Sequence, residues 1–303
     1  MKRFLLLFCL FIAYGLNADE KIIRQIPNDF NLLSSVNFEK IFEKEMPFLR
    51  ELIDEIDDDN LLKTFEEGGL NLKLLKTLWF SNSVNANMMN QPGDWKWLTF
   101  IEFTKDVKAG EILELLQKKF KFKLIEGKID DLKSYEVKID QQDVFIVQQN
   151  PRLITLGSKD SLKQSLRLSK MEKAESLQYS LLGNKQINDL QASVKEHQLW
   201  MTAYTKNPKK FASVTDFVLG MDFDKSLNIK CILNFVDEMS CNEVYQFWPM
   251  IKGFLMQQPL FMENKHFFDN KFDRSILFKI IFTKDVLRRA GMVKEADKEA
   301  PKN

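Results

Sequence analysis

The sequence predicts an α+β fold: predominantly antiparallel sheet, with amphipathic helices packed on it. Three observations carry that expectation. Apolar runs of strand length recur along the chain, as in Trp95 to Phe103 and Leu227 to Leu233. Short polar turns separate many of them, including Asp130-Asp131 and Asp224-Lys225, so neighbouring strands form hairpins. Helical spacing appears between groups of strands, not between every pair. Phe occurs 26 times against 11 Gly and 8 Pro, which suits packed elements with short connections.

The elements follow in order. Ile26-Pro27 leads into a first strand, Leu32 to Val36. Phe38, Ile41, Phe42, Leu49, Leu52, Ile53 and Ile56 then share a helical face, and the polar turn Asp57-Asp58-Asp59-Asn60 ends that helix. Gly68-Gly69 breaks a short second helix. Leu78-Trp79-Phe80 is a strand. In the next, Trp95, Trp97, Thr99, Ile101 and Phe103 alternate onto one face. Gly110 to Phe120 is an amphipathic helix. Short strands follow near 121–126, 134–139, 143–149 and 152–157, then a helix over 159–169.

The second half has the same style, which admits two similar units in tandem, 19–172 and 173–290. Residues 174–194 have helical character interrupted near Gly183-Asn184. Leu199 to Thr205 is a strand, 214–223 and 227–236 form a hairpin, and Asn242 to Met256 is a helix. Strands at 265–270 and 274–283 complete the unit, and the polar tail 291–303 carries no pattern of order. Phe-Thr-Lys-Asp-Val occurs at 103–107 and 282–286, but the two copies fall at different places in the layout.

This layout resembles exported bacterial proteins built from tandem α+β units. The matching stretches are Ile26-Pro27 before a strand ending Ser35-Val36-Asn37, then Gly69-Leu70-Asn71-Leu72, then Arg152 to Leu162 running from strand into helix. The resemblance spans about residues 22–170 and implies a fold style and a location, with no activity attached.

Export also follows from the residues themselves. Lys2 and Arg3 precede an uncharged apolar run from Phe4 to Tyr14. Leu16-Asn17-Ala18 before Asp19 supplies a cleavage site, with a cut after Gly15 as the alternative. The apolar run is shorter than the ~20 residues that span a bilayer. Cys9 follows Phe8 inside the apolar run, which is not a lipoprotein site. The expected product is a periplasmic or secreted chain with no transmembrane segment. Losing Lys2 and Arg3 takes Lys+Arg from 44 to 42 against 43 Asp+Glu, so the net charge moves from +1 to −1. That balance disfavours nucleic acid as a partner.

Two cysteines remain, Cys231 in a strand-like run and Cys241 beside the capping pattern Ser240-Cys241-Asn242-Glu243. They form either a disulfide or two buried free thiols.

The common catalytic signatures are missing. There is no HExxH, CxxC, GxSxG, SxxK, GxGxxG or P-loop, and the only histidines are His197 and His266. The acidic run Asp54 to Asp59 lacks the calcium-loop spacing, because Leu61 and Leu62 stand where a ligand and a Gly belong. Glu66-Glu67 carries no mark of an acid/base pair. No cofactor and no metal are expected.

The segment 244–268 is unusually rich in Phe, Trp and Met. Val244, Phe247, Trp248, Ile251, Phe254 and Leu255 fit one apolar stripe, and Pro249 suggests a kink or a split. Tyr245, Met250, Met256, Phe261 and Met262 are the candidates for an apolar ligand or partner surface. The leading functional expectation is a non-enzymatic binding module for a protein partner. A carrier of a lipid or other hydrophobic ligand, and an unrecognised hydrolase, are the alternatives.

Overall fold

The computed structural model describes residues 20–42, 72–83, 96–139, 142–205, 213–223, 226–257, 267–283 and 285–286. The leader, the acidic run Asp54 to Asp59, Glu66-Glu67, Phe261, Met262, His266 and the tail 291–303 lie outside them.

Twelve strands make one antiparallel sheet: β1 (Leu32–Asn37), β2 (Leu75–Asn82), β3 (Trp97–Phe103), β4 (Leu124–Ile129), β5 (Leu132–Ile139), β6 (Gln142–Asn150), β7 (Leu153–Gly157), β8 (Leu199–Tyr204), β9 (Val214–Phe223), β10 (Ser226–Phe235), β11 (Phe267–Phe272) and β12 (Ser275–Thr283). Their order is β11-β12-β10-β9-β8-β1-β2-β3-β7-β6-β5-β4. The helices are α1 (Glu20–Ile23), α2 (Phe38–Phe42), α3 (Ala109–Phe120), α4 (Lys159–Lys170), α5 (Lys173–Ser176), α6 (Lys185–Ala192) and α7 (Glu238–Leu255).

The expectation of two tandem units, 19–172 and 173–290, is corrected by this topology. β1 pairs with β2 on one side and with β8 on the other, so Ser35 lies opposite both Trp79 and Trp200. The ladder therefore runs without a break from the first half into the second. The core does the same. Trp79 and Trp200 are fully buried and meet edge to face, 5.8 Å between centroids. With Leu33, Phe100, Val147 and Val218 they pack against Leu162 and Leu166 of α4, Ile187 of α6 and Ile22 of α1 in one cluster. The hydrophobic pattern shows which residues each element buries, but not which strand from the other half it pairs with.

The opposite face of the sheet carries three smaller clusters. Phe38 and Ile41 of α2 pack with Val36, Leu78, Leu199, Phe223 and Phe282. Ala109 and Leu113 of α3 pack with Tyr135, Val137, Val144 and Ile146. Cys241 of α7 packs with Phe235 and Ile276. Strand alternation explains the division, because successive side chains point to opposite faces.

Gly220 on β9 marks a close approach. A Cβ there would stand 2.2 Å from the His197 ring. That ring cannot swing away cheaply: its Nδ1 lies 2.7 Å from Asp222 Oδ2, and the same carboxylate accepts from the Gln198 amide at 3.0 Å. Gly220→Ala is expected to cost about 1–3 kcal/mol through overpacking, measured by denaturant unfolding.

Candidate functional site

The helix predicted over 242–256 starts earlier, at Glu238. Asp237 caps it, accepting from the Ser240 amide at 2.7 Å, and that bond holds the Asp237 carboxyl below its ordinary range. Pro249 removes the amide that would bond the Tyr245 carbonyl, yet the helix continues through it to Leu255. So the start expected near Ser240 moves to Glu238, and of the kink or split expected at Pro249 the split gives way to one continuous helix.

Its orientation also differs from the predicted stripe. The inner side of α7 is built from Cys241, Val244, Tyr245, Trp248 and Lys252. Cys241, Val244 and Tyr245 join the cluster with Phe235, Ile276 and Phe278. Trp248 stands 4.3 Å from Phe278 and 5.9 Å from Phe267, centroid to centroid. Two polar contacts set the rotation. Lys252 Nζ donates to Asp269 Oδ1 at 2.5 Å, and the Tyr245 hydroxyl donates to Asp269 Oδ2 at 3.1 Å. At the first residue of the helix, Glu238 accepts from Lys271 at 3.2 Å. Asp269 and Lys271 both point from β11 toward the helix, two residues apart.

That arrangement turns the other side of the helix outward. Met239 is 68% exposed, Phe247 61%, Met250 70%, Ile251 40% and Phe254 64%. At 3.6 residues per turn these five lie within an arc of roughly 120°. Phe247, Met250, Ile251 and Phe254 are spaced i, i+3, i+4 and i+7, so they touch the same strip of surface. The helix is thus apolar on both sides and covered on one. An exposed apolar group of this size marks a contact surface far more often than a scattered residue does.

Of the five candidates taken from the sequence, Met250 lies in the outer arc. Tyr245 lies on the inner side, and Met256 is half-buried at the helix end. Phe261 and Met262 fall outside the described residues. Phe247, Ile251 and Phe254 were expected in the core stripe and are on the surface instead. A signal for this existed in the sequence. Tyr245 and Lys252 are seven residues apart, two turns on one side, and could share a single acidic partner.

The Asp269 contacts are pH-sensitive. Burial pushes its pKa up, but the hydrogen bonds from Lys252 and Tyr245 and the Lys252 charge outweigh burial and hold it below the ordinary carboxylate value. A lowered folded pKa contributes stability that is present above the unfolded value, about 3.9, and is lost as pH falls through the folded value. Acidification below about pH 4 is therefore expected to loosen α7, reported by Trp248 fluorescence. Asp269→Asn should shrink that acid limb, leaving the part that the Asp237 cap contributes.

Cys231 and Cys241 are both free thiols. Cys241 packs at the level of Phe235 and Ile276. Cys231 lies opposite Phe278, further along β10, and Trp248 is the α7 residue that reaches that level. Burial pushes the Cys231 thiol up to about 11 and also raises Cys241. Neither is a thiolate nucleophile at neutral pH. Among the described residues no group of three His, Cys, Asp or Glu side chains is arranged to hold a metal.

No protein-family model and no curated protein matches the chain. A solved structure described as "Structure of crystal form I of TP0453" is similar to it, with a TM-score of 0.44 and 7% identity. The match covers 91% of this chain and 97% of that one. Among the described residues no helix is long and apolar enough to cross a membrane.

Proposed function

We propose that the chain is an exported, non-enzymatic binding module, and that the outer arc of α7 receives an apolar segment of a protein partner. The observation that supports this reading is the strip of Phe247, Met250, Ile251 and Phe254, held outward by a helix whose other side is anchored to the sheet. Aromatic and Met side chains are the types enriched where partners bind. The leader at 1–18 supports export to the periplasm or beyond.

A carrier of a hydrophobic ligand needs enclosed apolar volume. The outer arc is the convex side of a helix. A cavity of about 660 Å³ beside α4 is open and lined by charges, among them Lys163, Arg167, Lys170, Asp130, Glu172 and Glu175. Neither feature suits a lipid chain. Native mass spectrometry on the chain purified from the periplasm without detergent tests the choice. The module should show no small-molecule mass. A lipid-sized mass that disappears on denaturation would sink it in favour of the carrier.

A further inference from the structure

We propose that two copies of the chain associate edge to edge, β11 pairing antiparallel with β11 of the second copy, centred on Asn270. This inference rests on β11 and not on the reading of α7.

β11 is a terminal strand of the sheet, with β12 on one side and no neighbour on the other among the described residues. An open edge offers unpaired backbone groups to another strand. The side chains of β11 alternate cleanly. Phe267, Asp269 and Lys271 face α7, while Phe268, Asn270 and Phe272 face the opposite side. Phe268 is 55% exposed and Phe272 51%. Two exposed phenylalanines on an open edge are what a strand avoids when it must stay alone.

The sequence of β11 is complementary to itself in one register. A two-fold axis perpendicular to the sheet keeps each face on its own side, so paired residues must share a face. Centring on Asn270 puts Phe268 opposite the second copy's Phe272, twice over. On the other face it puts Asp269 opposite the second copy's Lys271, also twice, and Asn270 meets itself. Shifting the centre to Asp269 opposes two aspartates. Shifting it to Lys271 opposes two lysines and sets Asp269 against Asp273. Like charges directly opposite are destabilising, and aromatic or opposite-charge pairs are favourable. The centre at Asn270 is thus selected by charge and filled by aromatics. At the other edge, β4 has Gly127 at its middle and Ile129 already buried, so Ile125 is the one large apolar side chain exposed on that face.

An interface of one six-residue strand is small, so the dimer is weak, with a dissociation constant of about 1–100 µM. Sedimentation of the full chain across that range should show monomer giving way to dimer. Phe268→Glu should raise the dissociation constant about tenfold or more. The register has a sharper readout. Directly opposed Cα atoms are about 4.5–5.5 Å apart, within disulfide reach. Asn270→Cys should therefore give a covalent dimer under mild oxidation with diamide, with the unaltered chain as the background for its two native thiols. Lys271→Cys should not, because the two copies of that residue stand roughly 8 Å apart. Sedimentation as monomer at every concentration would overturn the proposal. So would equal cross-linking at both positions, or cross-linking through Gly127→Cys in place of Asn270→Cys.

Discussion

Trp200→Ala is expected to cost about 3–5 kcal/mol and to melt the whole described sheet in one transition. The residue is fully buried on β8, next to β1, which joins the two halves. Its ring meets Trp79 edge to face, so truncation leaves a cavity at the seam and strips a partner from β2 as well. Neither half offers anything to collapse into the gap except the helices α4 and α6, which already pack on the same cluster. Trp200→Phe should recover a large part of the loss, because the Trp200 Nε1 has no hydrogen-bond partner to forfeit among the described residues. Chemical denaturation followed by far-UV circular dichroism and by tryptophan fluorescence gives the check. Coincident curves are expected. Two separated transitions would mean that the halves fold independently and that the ladder through β1 is not what unites them.

The second large effect is on binding. Phe247→Glu combined with Phe254→Glu should abolish partner capture while leaving stability within about 0.5 kcal/mol per site. Both side chains are mainly in solvent, so folding loses little when they become charged. A partner that buries them would face two desolvated carboxylates, and central interface residues of this type commonly contribute about 2 kcal/mol or more each. Equilibrium binding to the captured partner should weaken by a hundredfold or more, with an unchanged melting temperature. Trp248→Ala provides the contrast. It removes the rings that hold α7 on Phe267 and Phe278, so it should lower stability as well as binding.

The contrast between those two variants shows what could be seen in the sequence. Most strands were legible, because alternation and turn residues are local: the hairpin of 214–223 and 227–236, or 199–205, are marked by their own residues. The helix at 109–120 was legible for the same reason. The join of the halves was not, since nothing in Leu32 to Asn37 says that both of its edges are occupied. The apolar richness of 244–268 was plain, but its inner side was not. A helix that is apolar nearly all round has no unique buried face by periodicity. The choice fell to three contacts with residues 17, 24 and 33 positions away: Lys252 on Asp269, Tyr245 on Asp269 and Glu238 on Lys271. They rotate Phe247, Ile251 and Phe254 from the expected core position to the surface. The free cysteines have the same origin, because the level at which α7 crosses β10 is set by tertiary packing.

The central claim is that the outer arc of α7 is a contact surface for a protein partner. A photoreactive amino acid placed in turn at Met239, Phe247, Met250 and Phe254, and irradiated in living cells, tests it most directly. Ile125 and Tyr179, exposed apolar residues elsewhere on the molecule, serve as controls. The account predicts one discrete protein adduct from the arc positions and none from the controls. Adducts of equal yield at Ile125 and Tyr179, or no adduct from any arc position, would contradict it.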